Sequence, residues 1–249
     1  MSLFLLLIPI LAGWGMGVFV NYLSDVLPRT RRLSSPVCTS CGAEFSWKEY
    51  ILLRPCASCG HTRGRRAWIV QIASVFLAFY LWFAPQPRWG FFLSLLAMAY
   101  FAVVFVIDVE YRLVLHPVSL AGVVLGALLG VLLHGVVPTL VGGAAGFGIM
   151  YVLYYLGVLF SRYVSKRRGT PIEEGDALGF GDVTLAGVLG LFLGWPLIWL
   201  GVLSAILLGG VVSLGVLLWM LISKRYEAFM AIPYAPFLIL SAVYLLFFF

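Results

Sequence analysis

About eight long apolar runs separated by short polar breaks constrain this chain more than any other feature. A helix needs roughly 20 mostly apolar residues to cross about 30 Å of hydrocarbon, where every backbone N–H and C=O must be paired within the segment. By that measure spans are predicted at about residues 3–23, 68–84, 90–107, 117–136, 138–161, 183–195, 197–223 and 230–249. The sixth is short, running from Val183 to Gly194-Trp195-Pro196, so it starts deeper or thins the bilayer around it. A composition 63% hydrophobic and 10% charged, with mean hydropathy +1.06, excludes a soluble domain of this length. The expected class is an all-α integral membrane protein. Met1–Leu23 lacks a basic leading segment and reads as a retained first helix, not a signal peptide.

Orientation follows from the basic residues. Arg29, Arg31, Arg32, Lys48, Arg54, Arg63, Arg65 and Arg66 fall between the first two spans. Arg112 follows the third span, Arg162, Lys166, Arg167 and Arg168 follow the fifth, and Lys224 and Arg225 follow the seventh. These are alternate loops, hence one side, and the positive-inside rule makes that side cytoplasmic. Only Arg88 falls opposite. The net charge of +6 is thus a topological signal, helped by anionic lipid, and implies no nucleic-acid partner. Three segments are expected: the first transmembrane helix (1–23), a cytoplasmic loop domain (24–67) and a polytopic core (68–249).

Two aspartates stand where apolar runs break off. Asp108 ends Phe91–Ile107, and Asp182 closes Gly179-Phe180-Gly181-Asp182 just before Val183. A carboxylate at the edge of hydrocarbon is costly to keep ionised and is a functional candidate by default; the bland alternative is a solvated acid beyond a helix end. Both fall on the cytoplasmic side, where neighbouring helices can bring them together. Such a pair suits aspartyl hydrolysis: one ionised carboxylate activates water, and the other, protonated, donates to the scissile carbonyl oxygen. Two acids in close contact share a proton for this division of labour. Gly179 and Gly181, flanking Phe180, are expected to supply unusual backbone angles and close approach of an extended substrate.

The first loop carries a second constellation. Cys38-Thr-Ser-Cys41-Gly and Cys56-Ala-Ser-Cys59-Gly form two knuckles with about 14 residues between them, close to the 15–20 of four-cysteine zinc sites. Four thiolates so spaced close a tetrahedral site for Zn²⁺ or another thiophilic metal. The competing reading, a pair of disulfides, conflicts with the reducing cytoplasm. His61 is a candidate substitute ligand, although a lone histidine beside four cysteines is more often a bystander. The aromatic wealth reads as interfacial belt and packing. Gly122, Gly126 and Gly130, like Gly142, Gly143 and Gly146, read as close helix packing. The acidic run Glu173, Glu174 and Asp176 reads as a solvated loop able to attract a basic peptide.

Taken in order, these residues resemble the bacterial prepilin peptidases, membrane aspartyl proteases of type IV pilus and related secretion systems. Gly17-Val-Phe-Val-Asn21-Tyr-Leu-Ser-Asp-Val-Leu27-Pro28 is similar to the family's GSFLNVxxxRLP segment, and the paired knuckles follow it. Asp108-Val-Glu-Tyr-Arg112-Leu-Val-Leu-His resembles the first catalytic motif, Asp176-Ala-Leu-Gly-Phe-Gly-Asp182-Val-Thr-Leu the second, and Ile232-Pro-Tyr-Ala-Pro236-Phe-Leu the IPFGPFL segment. There are departures: Leu115 replaces a proline, displaced to Pro117; Thr184 stands for lysine, Val26 for arginine and Gln71 for glutamate. None touches the aspartates or the cysteines.

The resemblance implies cleavage of prepilin-like precursors, with a short basic leader ahead of an apolar helix, at the cytoplasmic face of the bacterial inner membrane. It also implies N-methylation of the new N-terminus from S-adenosylmethionine, for which no glycine-rich nucleotide loop is visible. Two other classes compete. A polytopic scaffold with a zinc knuckle would not need the aspartates. A proton-coupled transporter would place its carboxylates nearer mid-membrane.

Overall fold

The computed structural model describes residues 3–168, 179–223 and 233–249. Every element in them is a helix, apart from one isolated bridge between Val37 and Glu44. In order they are α1 (Leu3–Thr30), α2 (Trp47–Ile51), α3 (Arg65–Phe83), α4 (Gly90–Tyr111), α5 (His116–His134), α6 (Val136–Arg168), α7 (Phe180–Leu193), α8 (Leu197–Ile222) and α9 (Ala235–Phe248). Six of them, α1, α3, α4, α5, α6 and α8, are long and apolar enough to cross a membrane. The all-helical membrane class is borne out, with a difference in two spans. At 14 residues each, α7 and α9 rise only about 21 Å, short of the hydrocarbon thickness. The acidic run Glu173, Glu174 and Asp176, the basic pair Lys224 and Arg225, and Ile232 lie outside the described residues.

The chain divides into two compact units, Met1–Ile107 and Asp108–Phe249. In the first, α1 packs along α3. Their interface is partly polar. Asn21 Nδ2 donates to the Ala67 carbonyl at 3.1 Å and Gln71 Nε2 to the Trp14 carbonyl at 2.8 Å. Both side chains are buried, so these bonds offset the desolvation of the amide N–H groups, about 1–3 kcal/mol each, while Asn21 Oδ1 and Gln71 Oε1 have no hydrogen-bond partner. Gln71 is the residue that departs from the family's glutamate. Its amide donates a proton that an ionised carboxylate does not have. α1 continues past Leu23 to Thr30, and the loop folds onto it: Trp14 Nε1 donates to the Ile51 carbonyl and the Tyr22 hydroxyl to the Ser34 carbonyl.

The second unit is built around α7, which packs against α5, α6, α8 and α9. Its run from Val188 to Leu193 is wholly buried, as are Val183, Leu185 and Ala186. A helix surrounded by protein need not span lipid on its own, which accounts for its length. α6 and α7 meet at backbone distance: a Cβ at Gly190 would collide with the Gly142 carbonyl, and one at Gly142 with the Gly190 carbonyl. On the other side Gly130 of α5 lies against the Leu191 carbonyl. Small residues at helical spacing thus serve the close packing expected of them.

Candidate active site and metal centre

Asp108 lies in the last turn of α4. The helix stops because Arg112 is left-handed (φ 52°), its N–H closing back on the Asp108 carbonyl at 2.8 Å. The chain then runs extended into Leu115, the N-cap of α5, with Pro117 in the first turn of that helix. A proline there loses no hydrogen bond and presets the helical φ. The displaced proline therefore still starts the helix that follows the first aspartate.

Asp182 is the third residue of α7, whose N-cap is Gly179 in extended conformation (φ −75°, ψ 141°). The Gly179 N–H donates to the Asp182 carboxylate, while the Asp182 N–H donates to the Gly179 carbonyl at 3.0 Å. This is half of a capping box, with the carboxylate serving an otherwise unpaired helix-terminal donor. The Thr184 hydroxyl, at the position of the family's lysine, donates to the Gly181 carbonyl at 2.8 Å.

The two aspartates, far apart in sequence, come near each other in the second unit. The Asp182 carboxylate lies within electrostatic reach of Asp108. Asp108 is 5% exposed and Asp182 9%, and Asp108 Oδ2 has no hydrogen-bond partner. What brings them together is local. A Cβ on Gly181 would sit 2.8 Å from Val114 Cβ and 3.0 Å from Val114 Cγ2. The segment after the first aspartate is thus pressed against the turn before the second. This corrects one expectation. Neither Gly179 nor Gly181 has a positive φ, so Gly181 is needed for lack of bulk against Val114, not for unusual backbone angles.

Phe180, between these glycines, is half exposed and stands edge-on to Phe147 and Tyr154, with ring centroids 6.4 and 5.9 Å away. Tyr234, the N-cap of α9, also lies within electrostatic reach of Asp182 and packs 3.3 Å from the Cβ position of Gly209. Sequence reasoning found the aspartates but neither Val114 nor Tyr234 as neighbours of the site. Val114 is one more aliphatic residue in an apolar stretch. Tyr234 had a signal only as part of Ile232-Pro-Tyr-Ala-Pro236.

In the first unit, the four cysteines converge. All four Sγ atoms lie within 4.8 Å of one another, with Cys38–Cys59 at 3.7 Å and Cys41–Cys56 at 3.8 Å. A tetrahedral ion with Zn–S bonds of about 2.3 Å requires S···S separations of about 3.8 Å. Disulfides require about 2.05 Å, and all four cysteines are free. The residues therefore fit a metal ion. Each knuckle is a tight turn: Gly42 N–H donates to the Cys38 carbonyl and Gly60 N–H to the Cys56 carbonyl, with both glycines left-handed (φ 72° and 71°). Backbone amides of Cys41 and Ser40 donate to the Cys38 sulfur and lower its thiol, while the neighbouring sulfurs raise that of Cys59, so the first negative charge of the cluster settles on Cys38. His61 stays outside the cluster, its ring 3.5 Å from the Thr39 hydroxyl. Cys38 and Cys56 pack with Phe45 and Tyr50 into a small core that rests on Val18 and Tyr22 of α1.

Comparison with known proteins agrees with the motifs. Residues 95–214, which hold both aspartates, match the Type IV leader peptidase family. The chain is 25% identical over 75% of its length to the prepilin leader peptidase/N-methyltransferase of Aeromonas salmonicida, covering 59% of that protein. It is similar to the same-named protein of Aeromonas hydrophila at the same identity and coverage. The corresponding protein of Pectobacterium carotovorum is 28% identical over 80% of the chain, with 66% of its own length covered. The chain thus spans about three fifths to two thirds of the curated relatives it matches. No solved structure matches it.

Proposed function

We propose that this chain is a membrane aspartyl endopeptidase that removes the short basic leader of prepilin-like precursors at the cytoplasmic face of the bacterial inner membrane. The observation that carries the reading is the nearness of Asp108 and Asp182, both buried and within electrostatic reach, in the segment that matches the leader peptidase family. One carboxylate, ionised, takes a proton from the attacking water. The other, protonated, donates to the scissile carbonyl oxygen as it gains charge. The roles then exchange as the amine leaves, so the pair carries one proton through the cycle. Gly181, pressed on Val114, holds the spacing that this exchange needs, and the Gly179 N–H fixes the Asp182 carboxylate.

The cysteine loop is the second part of the reading. Cys38, Cys41, Cys56 and Cys59 would hold one structural Zn²⁺, which ties the loop 24–67 into a module between the first helix and the core 68–249. A closed site of four thiolates has no open position for substrate, so the metal shapes the loop and takes no part in hydrolysis. N-methylation of the new N-terminus from S-adenosylmethionine is supported by the names of the relatives alone, and no residue is assigned to that cofactor.

The test is direct. Purified chain in lipid nanodiscs is mixed with a precursor carrying a basic leader and an apolar segment, and the products are mapped by mass spectrometry. A single cut just ahead of the apolar segment, lost in Asp108→Asn and in Asp182→Asn, is the expected result. Cleavage that survives either substitution overturns the assignment.

A further inference from the structure

The first unit holds a cleft that the peptidase reading leaves unused. It has a cavity volume of about 120 Å³, well above the roughly 10–15 Å³ that one water needs. Among its walls are Arg29 near the end of α1, Arg63 just before α3, Arg66 in its first turn, Asp25, Thr30 and Ser34. Asp25 accepts from Arg63 Nη2 at 2.8 Å, from Arg66 Nη2 and from the Tyr50 hydroxyl at 2.6 Å. Arg63 also stacks 3.9 Å over the Tyr50 ring and donates to the Tyr50 carbonyl at 3.2 Å. One carboxylate thus shares the cleft with three arginines and pairs with two of them. Arg29 is exposed and makes no ion pair among the described residues. The cleft carries an uncompensated positive charge, and it would repel a basic leader peptide.

Its place in the fold narrows the ligand. α1 and α3 are both long and apolar enough to cross a membrane, and the cleft opens where the first ends and the second begins. With both helices spanning the bilayer, that end would lie at the level of the lipid headgroups. Guanidinium groups match a phosphate through paired N–H donors. Basic pockets between transmembrane helices bind anionic headgroups. The N-terminus of α3, capped by Gly64, also borders the cleft, and the positive end of its helix dipole favours an anion there.

We propose that the cleft between Arg29, Arg63 and Arg66 binds the phosphate group of an anionic phospholipid headgroup and so seats the cysteine loop on the membrane surface. The proposal goes beyond the peptidase reading and shares with it only the membrane setting. Native mass spectrometry of the full chain, offered equal amounts of phosphatidylglycerol and phosphatidylcholine, tests it. The expected result is preferential retention of phosphatidylglycerol, falling roughly fivefold in Arg29→Gln, as the loss of about one juxtamembrane charge predicts. Arg65→Gln removes another exposed arginine, outside the cleft, and should leave retention unchanged. Equal losses in the two variants would mean diffuse surface charge and would overturn the site, as would no preference between the lipids. Displacement of the lipid by millimolar inorganic phosphate would overturn the lipid as its source. Cleavage of a precursor is measured in parallel. If retention fails while cleavage persists, this inference falls and the peptidase reading stands.

Discussion

Gly181→Ala tests how the two aspartates are held. The added methyl would lie 2.8 Å from Val114 Cβ and 3.0 Å from Val114 Cγ2, against an optimal carbon–carbon separation of about 3.5–4.0 Å. The overlap approaches 1 Å, and relieving it means moving the start of α7 away from the segment that follows Asp108. Overpacking of this kind costs about 1–3 kcal/mol, which a packed helix such as α7 can survive. Catalysis is less forgiving, since a misplacement of about 1 Å can cost on the order of 100-fold. Cleavage of a precursor by the purified variant should therefore fall by roughly 10- to 100-fold while the thermal transition shifts only modestly. Val114→Gly removes both contacting carbons, and Val114→Ala removes only Cγ2 and its twin. The double variant Gly181→Ala/Val114→Gly should recover most of the lost kcat, and Gly181→Ala/Val114→Ala much less. Full activity in Gly181→Ala alone, or no recovery with Val114→Gly, would refute the spacing argument.

Other predictions concern the first unit and the topology. Elemental analysis of purified protein should find about one Zn²⁺ per chain, and Cys41→Ser should lower that content and loosen the loop to proteolysis. Asp25→Asn removes the counter-charge of Arg63 and Arg66 and should destabilise the loop by roughly 1–3 kcal/mol, seen as a lower thermal midpoint. Gln71→Glu should cost about as much through its lost donation to Trp14, with the loss growing as pH rises, because only the protonated acid donates. A single cysteine at position 167 should resist an impermeant thiol reagent in intact cells, and one at position 87 should react; the reverse pattern would put both aspartates in the wrong compartment.

The helices were legible because hydrocarbon imposes length and polarity on each one. The eight apolar helices follow the apolar runs in order, with the short α2 added in the loop, and α7 comes out short because the protein itself surrounds it. The cysteine cluster was legible because a metal demands four like ligands at fixed spacing, and the structure brings those four together. Asp108 and Asp182 were visible as acids at the ends of apolar runs. Their proximity was not, since it depends on Gly181 meeting Val114 across two turns of chain. Nor was the reason for Gly181, which sequence reads equally well as flexibility or as lack of bulk. The Asp25–Arg63–Arg66–Tyr50 network was hidden for a similar reason: charges scattered through a basic loop look like a topology signal until the fold pairs them.

The central claim is that Asp108 and Asp182 act as one unit. The decisive measurement is the single-turnover cleavage rate of one precursor by wild type, Asp108→Asn, Asp182→Asn and the double variant, with each protein shown folded by its thermal transition. If the pair shares one proton and one water, either substitution alone removes the reaction, and the double variant is no slower than the singles. Losses that multiply, or a single variant that keeps near wild-type rate, would show two independent groups and contradict the account.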